Sequence, residues 1–124
     1  MNYHFGKQED VPKQEVKITG SRGAYIQWLV TKDTGSPRYA LRRFLIEPSG
    51  VIAYHKHKYE ETVYVLKGFA EVRVENETRK ISSGEFVFID QNVPHSIKNV
   101  GNSELEFLCV IPYVEDMSIT PLGG

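Results

Sequence analysis

The chain has 124 residues, 40% hydrophobic and 25% charged, which is enough for one core and suits one domain. Fifteen basic residues stand against 16 acidic ones, for a net charge of −1; no basic run exceeds two residues, so the chain carries no nucleic-acid footprint. No apolar stretch approaches the roughly 18 residues of a membrane span.

Residues 1–10 are polar and lack the apolar stretch of a secretory leader. The single cysteine, Cys109, excludes an internal disulfide, so a cytoplasmic location is expected. The chain then reads as short strands between turn signals. Residues 16–19 form a β-branched run ended by Gly20 and Gly23. Residues 24–30 are a strong strand candidate, closed by Asp33, Thr34, Gly35, Ser36 and Pro37. Residues 39–46 follow and stop at Pro48, Ser49 and Gly50. Residues 51–57, 62–66 and 70–74 come next, then 79–81 and 86–89. Segment 86–89 is apolar throughout and is expected to be buried on both faces. Residues 95–98 and 104–111 complete the set, with Gly101 and Asn102 between them as a hairpin signal.

No window of a dozen residues shows a 3.6-residue apolar period with caps. About nine or ten short strands with regular turns indicate an all-β sandwich or barrel. The expected organisation is one domain over residues 1–124, with its core at about 38–112. The first dozen residues and the tail after Pro112 have weak patterns, as arms that dock on a partner or as loose ends.

Three of the four histidines fall in a metal-ligand pattern. His55 and His57 form an H-x-H pair, Glu61 follows after three residues, and His95 lies 38 residues beyond His57. On a strand, residues i and i+2 share a face, about 6–7 Å apart. Two imidazoles so placed can converge on one ion, and a carboxylate and a third imidazole complete a mixed N/O shell. Such a shell suits Fe(II), Mn(II), Ni(II) or Zn(II). Period two puts the four candidates on apolar faces. Val63 and Val65 share the face of Glu61, Ile97 and Asn99 that of His95, and Leu105, Phe107, Cys109 and Ile111 form an inner set. Ionisable groups on an apolar face need a partner, which a metal ion supplies. A lone inward histidine is more often a hydrogen-bonded core residue; a pair beside a carboxylate and a third histidine is not the same case. Glu60 competes with Glu61 for the carboxylate role, and strand parity selects Glu61. His4 lies in the polar N-terminus and is expected to be exposed.

These residues resemble the cupin family. Its first motif, G-x5-H-x-H-x3,4-E-x6-G, is matched by Gly50, His55, His57, Glu61 and Gly68, one residue short after the first glycine. Its second, G-x5-P-x-G-x2-H-x3-N, is matched by Gly84, His95 and Asn99, with Asp90 and Asn92 replacing the proline and middle glycine. Both replacements are turn formers, so the turn is expected to survive. The resemblance implies a cupin-type jelly-roll β-barrel of roughly six to eight strands. It also implies one divalent metal ion on His55, His57, Glu61 and His95, and a homodimer paired through outer sheet faces, where Tyr64 and Leu66 fit.

The resemblance leaves the reaction open, because cupins host several chemistries. Four protein ligands would leave room on an ion for a bidentate enolate or diol beside dioxygen, which favours a metal-dependent dioxygenase acting on a small organic molecule. The alternatives are a cupin isomerase or decarboxylase, and a non-catalytic ligand-binding or sensory cupin. The expected pocket lining is apolar: Val63, Val65, Ala70, Val72, Ile97, Leu105, Phe107 and Ile111. Either Arg42 or Arg43 should point inward, where it could clamp a substrate carboxylate or form a rim salt bridge. Cys109 reads as a buried small hydrophobe. Imidazoles with an ordinary pKa near 6.5 would lose metal to protons below about pH 6.

Overall fold

The structure, a computed structural model, describes residues 2–123. It is all-β apart from two single-turn 3-10 helices, Gln8–Asp10 and Lys32–Thr34. The strands are β1 (Gln14–Glu15), β2 (Arg22–Val30), β3 (Tyr39–His57), β4 (Glu61–Lys67), β5 (Phe69–Val74), β6 (Glu77–Ser82), β7 (Phe86–Ile89), β8 (His95–Asn99), β9 (Leu105–Pro112) and β10 (Ile119–Pro121). The main strand order is β6-β5-β8-β3-β9-β4-β7, with β2 and β10 also on β3 and β1 on β2. Pairing is antiparallel throughout, and the result is a nearly closed jelly-roll barrel. The strand count exceeds the family expectation because short strands in both terminal segments join the sheet. Among the described residues no helix is long and apolar enough to cross a membrane.

The 19-residue β3 joins the two halves of the barrel. Its first part pairs with β2 and β9; its second part pairs with β8 and β10. Expected as two strands split at Pro48, Ser49 and Gly50, it is instead one continuous strand that bends there. Residues 47–49 are exposed, and Ser49 takes the left-handed conformation at φ 68°. Gly50 is required by space: a Cβ would meet Ile46 Cγ2 at 2.8 Å and the Glu47 and Gly23 carbonyls at 2.9 Å. Asn99 braces the bend, donating to the Ile46 carbonyl at 2.8 Å and the Ser103 carbonyl at 2.9 Å.

The core lies between the two halves. Leu45, Ile46, Val65, Leu105, Phe107 and Ile111 are buried, and Phe44 stacks on Phe107 at 5.0 Å between ring centroids. Burying each such side chain stabilises the fold by about 1.5–3 kcal/mol, so apolar packing dominates stability.

Four local expectations are corrected. Segment 86–89 is not buried on both faces: Phe86 is 68% and Phe88 60% exposed, while Ile89 is buried. β7 pairs with β4, and its outer face, continuous with Tyr64 and Leu66 of β4, is left uncovered. The turn at Gly101 and Asn102 does not close a hairpin; β8 pairs with β3 and β5, and β9 with β3 and β4, so this turn carries the chain across the barrel. Residues 16–19 follow β1 rather than forming a strand. The terminal segments are not loose. The buried Gln27 amide donates to the carbonyls of Gln8 at 2.8 Å and Val11 at 2.7 Å, and β10 pairs with the end of β3 that carries His55 and His57.

Candidate metal centre

His55 and His57 project from the second part of β3, His95 opens β8, and Glu61 opens β4. All four are buried, and one ligand atom from each lies within 4.8 Å of all the others. His4 and Glu60 are exposed and lie outside this cluster, as expected.

The backbone sets the proton positions. His55 Nδ1 faces the Ala53 carbonyl at 2.7 Å, His57 Nδ1 the Tyr59 carbonyl at 2.7 Å, and His95 Nδ1 the Val93 carbonyl at 2.9 Å. A carbonyl only accepts, so each Nδ1 is the protonated nitrogen and each neutral Nε2 presents a lone pair. The turn that aims His95 is held by Asn92, which takes φ 62° in place of the motif glycine and donates from its N–H to the His57 carbonyl at 2.7 Å. Asparagine tolerates that conformation, so the expected turn survives.

Those lone pairs meet a carboxylate. Glu61 Oε1 lies 3.0 Å from His57 Nε2 and 2.6 Å from His95 Nε2. His95 Nε2 is close to the carboxylate but not aligned for a hydrogen bond, and it is left without a partner. Three neutral imidazole lone pairs and a carboxylate oxygen, converging out of water, are acceptors without a donor. Only a cation or added protons can reconcile them. The donor set therefore fits a divalent transition metal ion, with second-sphere carbonyls orienting each imidazole.

The electrostatics agree. Burial, then the neighbouring His95, push the His55 pKa down to about 4. His55 by itself is therefore already neutral well below pH 6. Burial alone would raise the Glu61 pKa; where protons rather than a metal ion occupy the cluster, hydrogen bonds from His57 and His95 and the charge of Arg42 hold it well below the usual carboxylate range.

Of the two arginines, Arg42 points inward. Its Nη2 lies 3.3 Å from Glu61 Oε2 and 2.8 Å from Cys109 Sγ, while its Nε has no partner. Arg43 instead binds Glu106 and Gln27 on the other side of the strand. Burial opposes the Arg42 charge, but the Glu61 carboxylate and the hydrogen bond to the Cys109 sulfur outweigh it and the net shift is upward. Burial and then the Glu61 charge push the Cys109 thiol well up, so it stays protonated and donates to Glu61 Oε2 at 2.7 Å. Sequence parity put Cys109 inside but gave no sign of this contact, which joins residues 48 apart.

Beside the cluster is a chamber of about 30 Å³, lined by the four candidate ligands, Arg42 and Tyr59 among others. It adjoins a cavity of about 880 Å³ walled by Val11, Val16, Ile26, Trp28, Tyr113 and Met117 among others. Ile18, Arg42, Phe44, Tyr59 and Ile119 border both spaces. The lining expected from the strands is corrected here. Ile97 and Phe107 reach the chamber, but Val63, Val65, Ala70, Val72, Leu105 and Ile111 line neither space and pack in the core. Part of the cavity wall, Val11, Pro12, Tyr113, Met117, Ile119 and Pro121, comes from the terminal segments, whose weak patterns concealed it.

Comparison with known proteins places these features. Residues 42–111 match the family model described as "Cupin domain". An oxalate-binding protein of Thermotoga maritima is 31% identical over 106 residues, covering 83% of this chain and 88% of the relative. The polyketide synthase CurC of Streptomyces cyaneus is 30% identical over 96 residues, which is 76% of this chain and 62% of that relative's length. Among solved structures, the polyketide cyclase RemF from Streptomyces resistomycificus superposes with a TM-score of 0.88 at 24% identity, covering 97% of this chain and 85% of that one.

Proposed function

The chain belongs to the cupin family, and on that premise we propose that it is a metal-dependent enzyme acting on a small organic molecule that offers anionic oxygen donors. His55, His57, Glu61 and His95 hold the ion. The carrying observation is the set of four ligand atoms, three imidazole nitrogens and a carboxylate oxygen, converging within 4.8 Å beside a large, mainly apolar cavity.

Charge selects the substrate class. Arg42 and Glu61 offset one another, the Cys109 thiol is neutral, and imidazoles must be neutral to ligate an ion. A divalent ion would therefore bring its charge into the chamber uncompensated, and burying such charge is costly. An enolate, phenolate or carboxylate offsets it. The neighbouring walls, with Trp28, Phe44, Tyr59 and Tyr113, suit the apolar or aromatic body of such a molecule. The CurC relative, named for polyketide synthesis, is consistent with a substrate of that build.

A bound ion would supply Lewis acidity to the substrate oxygens and, if iron or manganese, redox chemistry with dioxygen. The protein's own contribution is orientation and exclusion of water. Burial pushes the Tyr59 hydroxyl up to about 12, so it stays a neutral donor at the border of the two spaces. Arg42 keeps a fixed positive charge at the same border. Dioxygenase-type chemistry remains our first reading of the reaction, and isomerisation or decarboxylation would start from the same bound anion.

The second reading is a non-catalytic carboxylate binder. The Thermotoga relative named as oxalate-binding favours it, as does a chamber no larger than about 30 Å³. Metal analysis of protein purified without chelator, followed by oxygen uptake with catechols, diols and 1,3-diketones, tests the proposal. Stoichiometric metal with oxygen consumption supports dioxygenation. Substrate loss without oxygen consumption supports Lewis-acid chemistry. Tight oxalate binding with no turnover of any compound supports the binder.

The outer face of β7, β4 and β9 exposes Phe86, Phe88, Tyr64, Leu66 and Val110. Contiguous apolar surface of this kind marks a contact site, and we assign it to a second copy of the chain in a homodimer. One reduced, buried cysteine suits a cytoplasmic protein.

A further inference from the structure

We propose that Cys109 and Arg42 are positioning residues that hold one oxygen of Glu61 and leave only the other to face the three histidines. This rests on the metal-centre reading above. The two oxygens of Glu61 have separate surroundings. Oε1 meets His57 Nε2 and His95 Nε2 at 3.0 and 2.6 Å. Oε2 accepts from the Cys109 thiol at 2.7 Å and from Arg42 Nη2 at 3.3 Å.

Three adjacent strands place these groups. Arg42 and Cys109 are register partners across β3 and β9, and Cys109 and Val63 across β9 and β4. Glu61 lies two residues before Val63, on the same inward face. Arg42 is itself confined, its guanidinium lying 5.5 Å from the Trp28 ring centroid and 5.0 Å from that of Phe44. A carboxylate can offer an ion one oxygen or two. Turning Oε2 toward the histidines would strip the buried Cys109 thiol of its acceptor and leave Arg42 Nη2 only the Cys109 sulfur at 2.8 Å, and such losses are costly where water cannot replace them. The pair thus favours coordination through Oε1 alone and keeps the remaining space for substrate.

Cobalt(II) serves as the probe, because its visible spectrum reports coordination number and ligand type. Wild type, Cys109→Ser, Cys109→Ala and Arg42→Met are loaded with cobalt(II), with circular dichroism confirming the fold. Affinity is measured by chelator competition for the cysteine variants. The Arg42 variant is read by spectrum alone, because its charge also repels the ion directly. The serine variant, which keeps a donor, should retain the wild-type spectrum and affinity. The alanine variant should change the spectrum and bind cobalt about tenfold more weakly, and Arg42→Met should change the spectrum. An alanine variant identical to wild type in both readouts overturns the proposal, even if Arg42→Met fails to fold. An intense sulfur-to-cobalt charge-transfer band lost in Cys109→Ser also overturns it, since sulfur would then be a ligand. A wild type that takes up no cobalt overturns the metal-centre reading itself, a result distinct from the other two.

Discussion

Tyr59 fixes His57 from two directions. Its ring stacks on the imidazole at 3.9 Å between centroids and 7° between planes, and its carbonyl faces Nδ1 of the same ring at 2.7 Å. The carbonyl sets the tautomer and the stacked ring sets the tilt. Replacing Tyr59 with alanine keeps the carbonyl and removes the stack. Metal affinity should fall about tenfold, in the range for lost second-sphere contacts. Chelator competition measures it; unchanged affinity would show that the carbonyl alone suffices.

His55→Ala and His95→Ala should each lose most bound metal while the barrel stays folded. Core burial carries stability in a chain of this length, and neither imidazole belongs to the apolar core. Metal content and far-ultraviolet circular dichroism are the two readouts. Full metal occupancy in either variant would remove that histidine from the ligand set.

Acid should destabilise the metal-free protein over a defined window. His55 stays neutral in the folded chain down to about pH 4, whereas an unfolded histidine takes up its proton near 6.5. Between those values the unfolded state binds more protons, so stability falls as pH falls from about 6.5 to about 4. Glu61, with its depressed pKa, adds a loss in the same direction only below the ordinary carboxylate range. Thermal melts of chelator-treated protein should show this slope, and His55→Asn should flatten it. Equal slopes in both proteins would assign the effect elsewhere.

Gly50→Ala should destabilise the fold by about 1–3 kcal/mol, the usual range for overpacking. The added methyl has nowhere to go, since two of the three nearest atoms are backbone carbonyl oxygens. Urea denaturation provides the comparison, and a shift below about 0.5 kcal/mol would mean that the bend yields easily.

Sedimentation at micromolar concentration should give twice the 14.2 kDa chain mass. The double substitution Phe86→Glu with Phe88→Glu should return it to the single-chain value, by placing charge on the proposed contact face. A wild type sedimenting at 14.2 kDa would refute the homodimer.

The sequence by itself determined the barrel and the four side chains that converge in it. The reason is locality. Strand parity is a two-residue rule, so His55, His57, Glu61 and His95 could be assigned to inner faces from their neighbours alone, and the motif glycines marked the bends. What only the tertiary structure decided lies between strands distant in sequence. No local rule brings Cys109 and Arg42 to the same oxygen of Glu61, because their separations of 48 and 19 residues are spanned only when β3, β9 and β4 lie side by side. The same holds for Phe86 and Phe88, whose apolar character suggested burial. They are exposed because they lie on the outer face of β7, which no described element covers, a fact of tertiary structure that composition does not carry. The cavity is the clearest case. Strands β2 and β3 supply part of its wall, but Val11, Pro12, Tyr113, Met117, Ile119 and Pro121 come from terminal segments with no strong period, so their role appears only once the barrel exists.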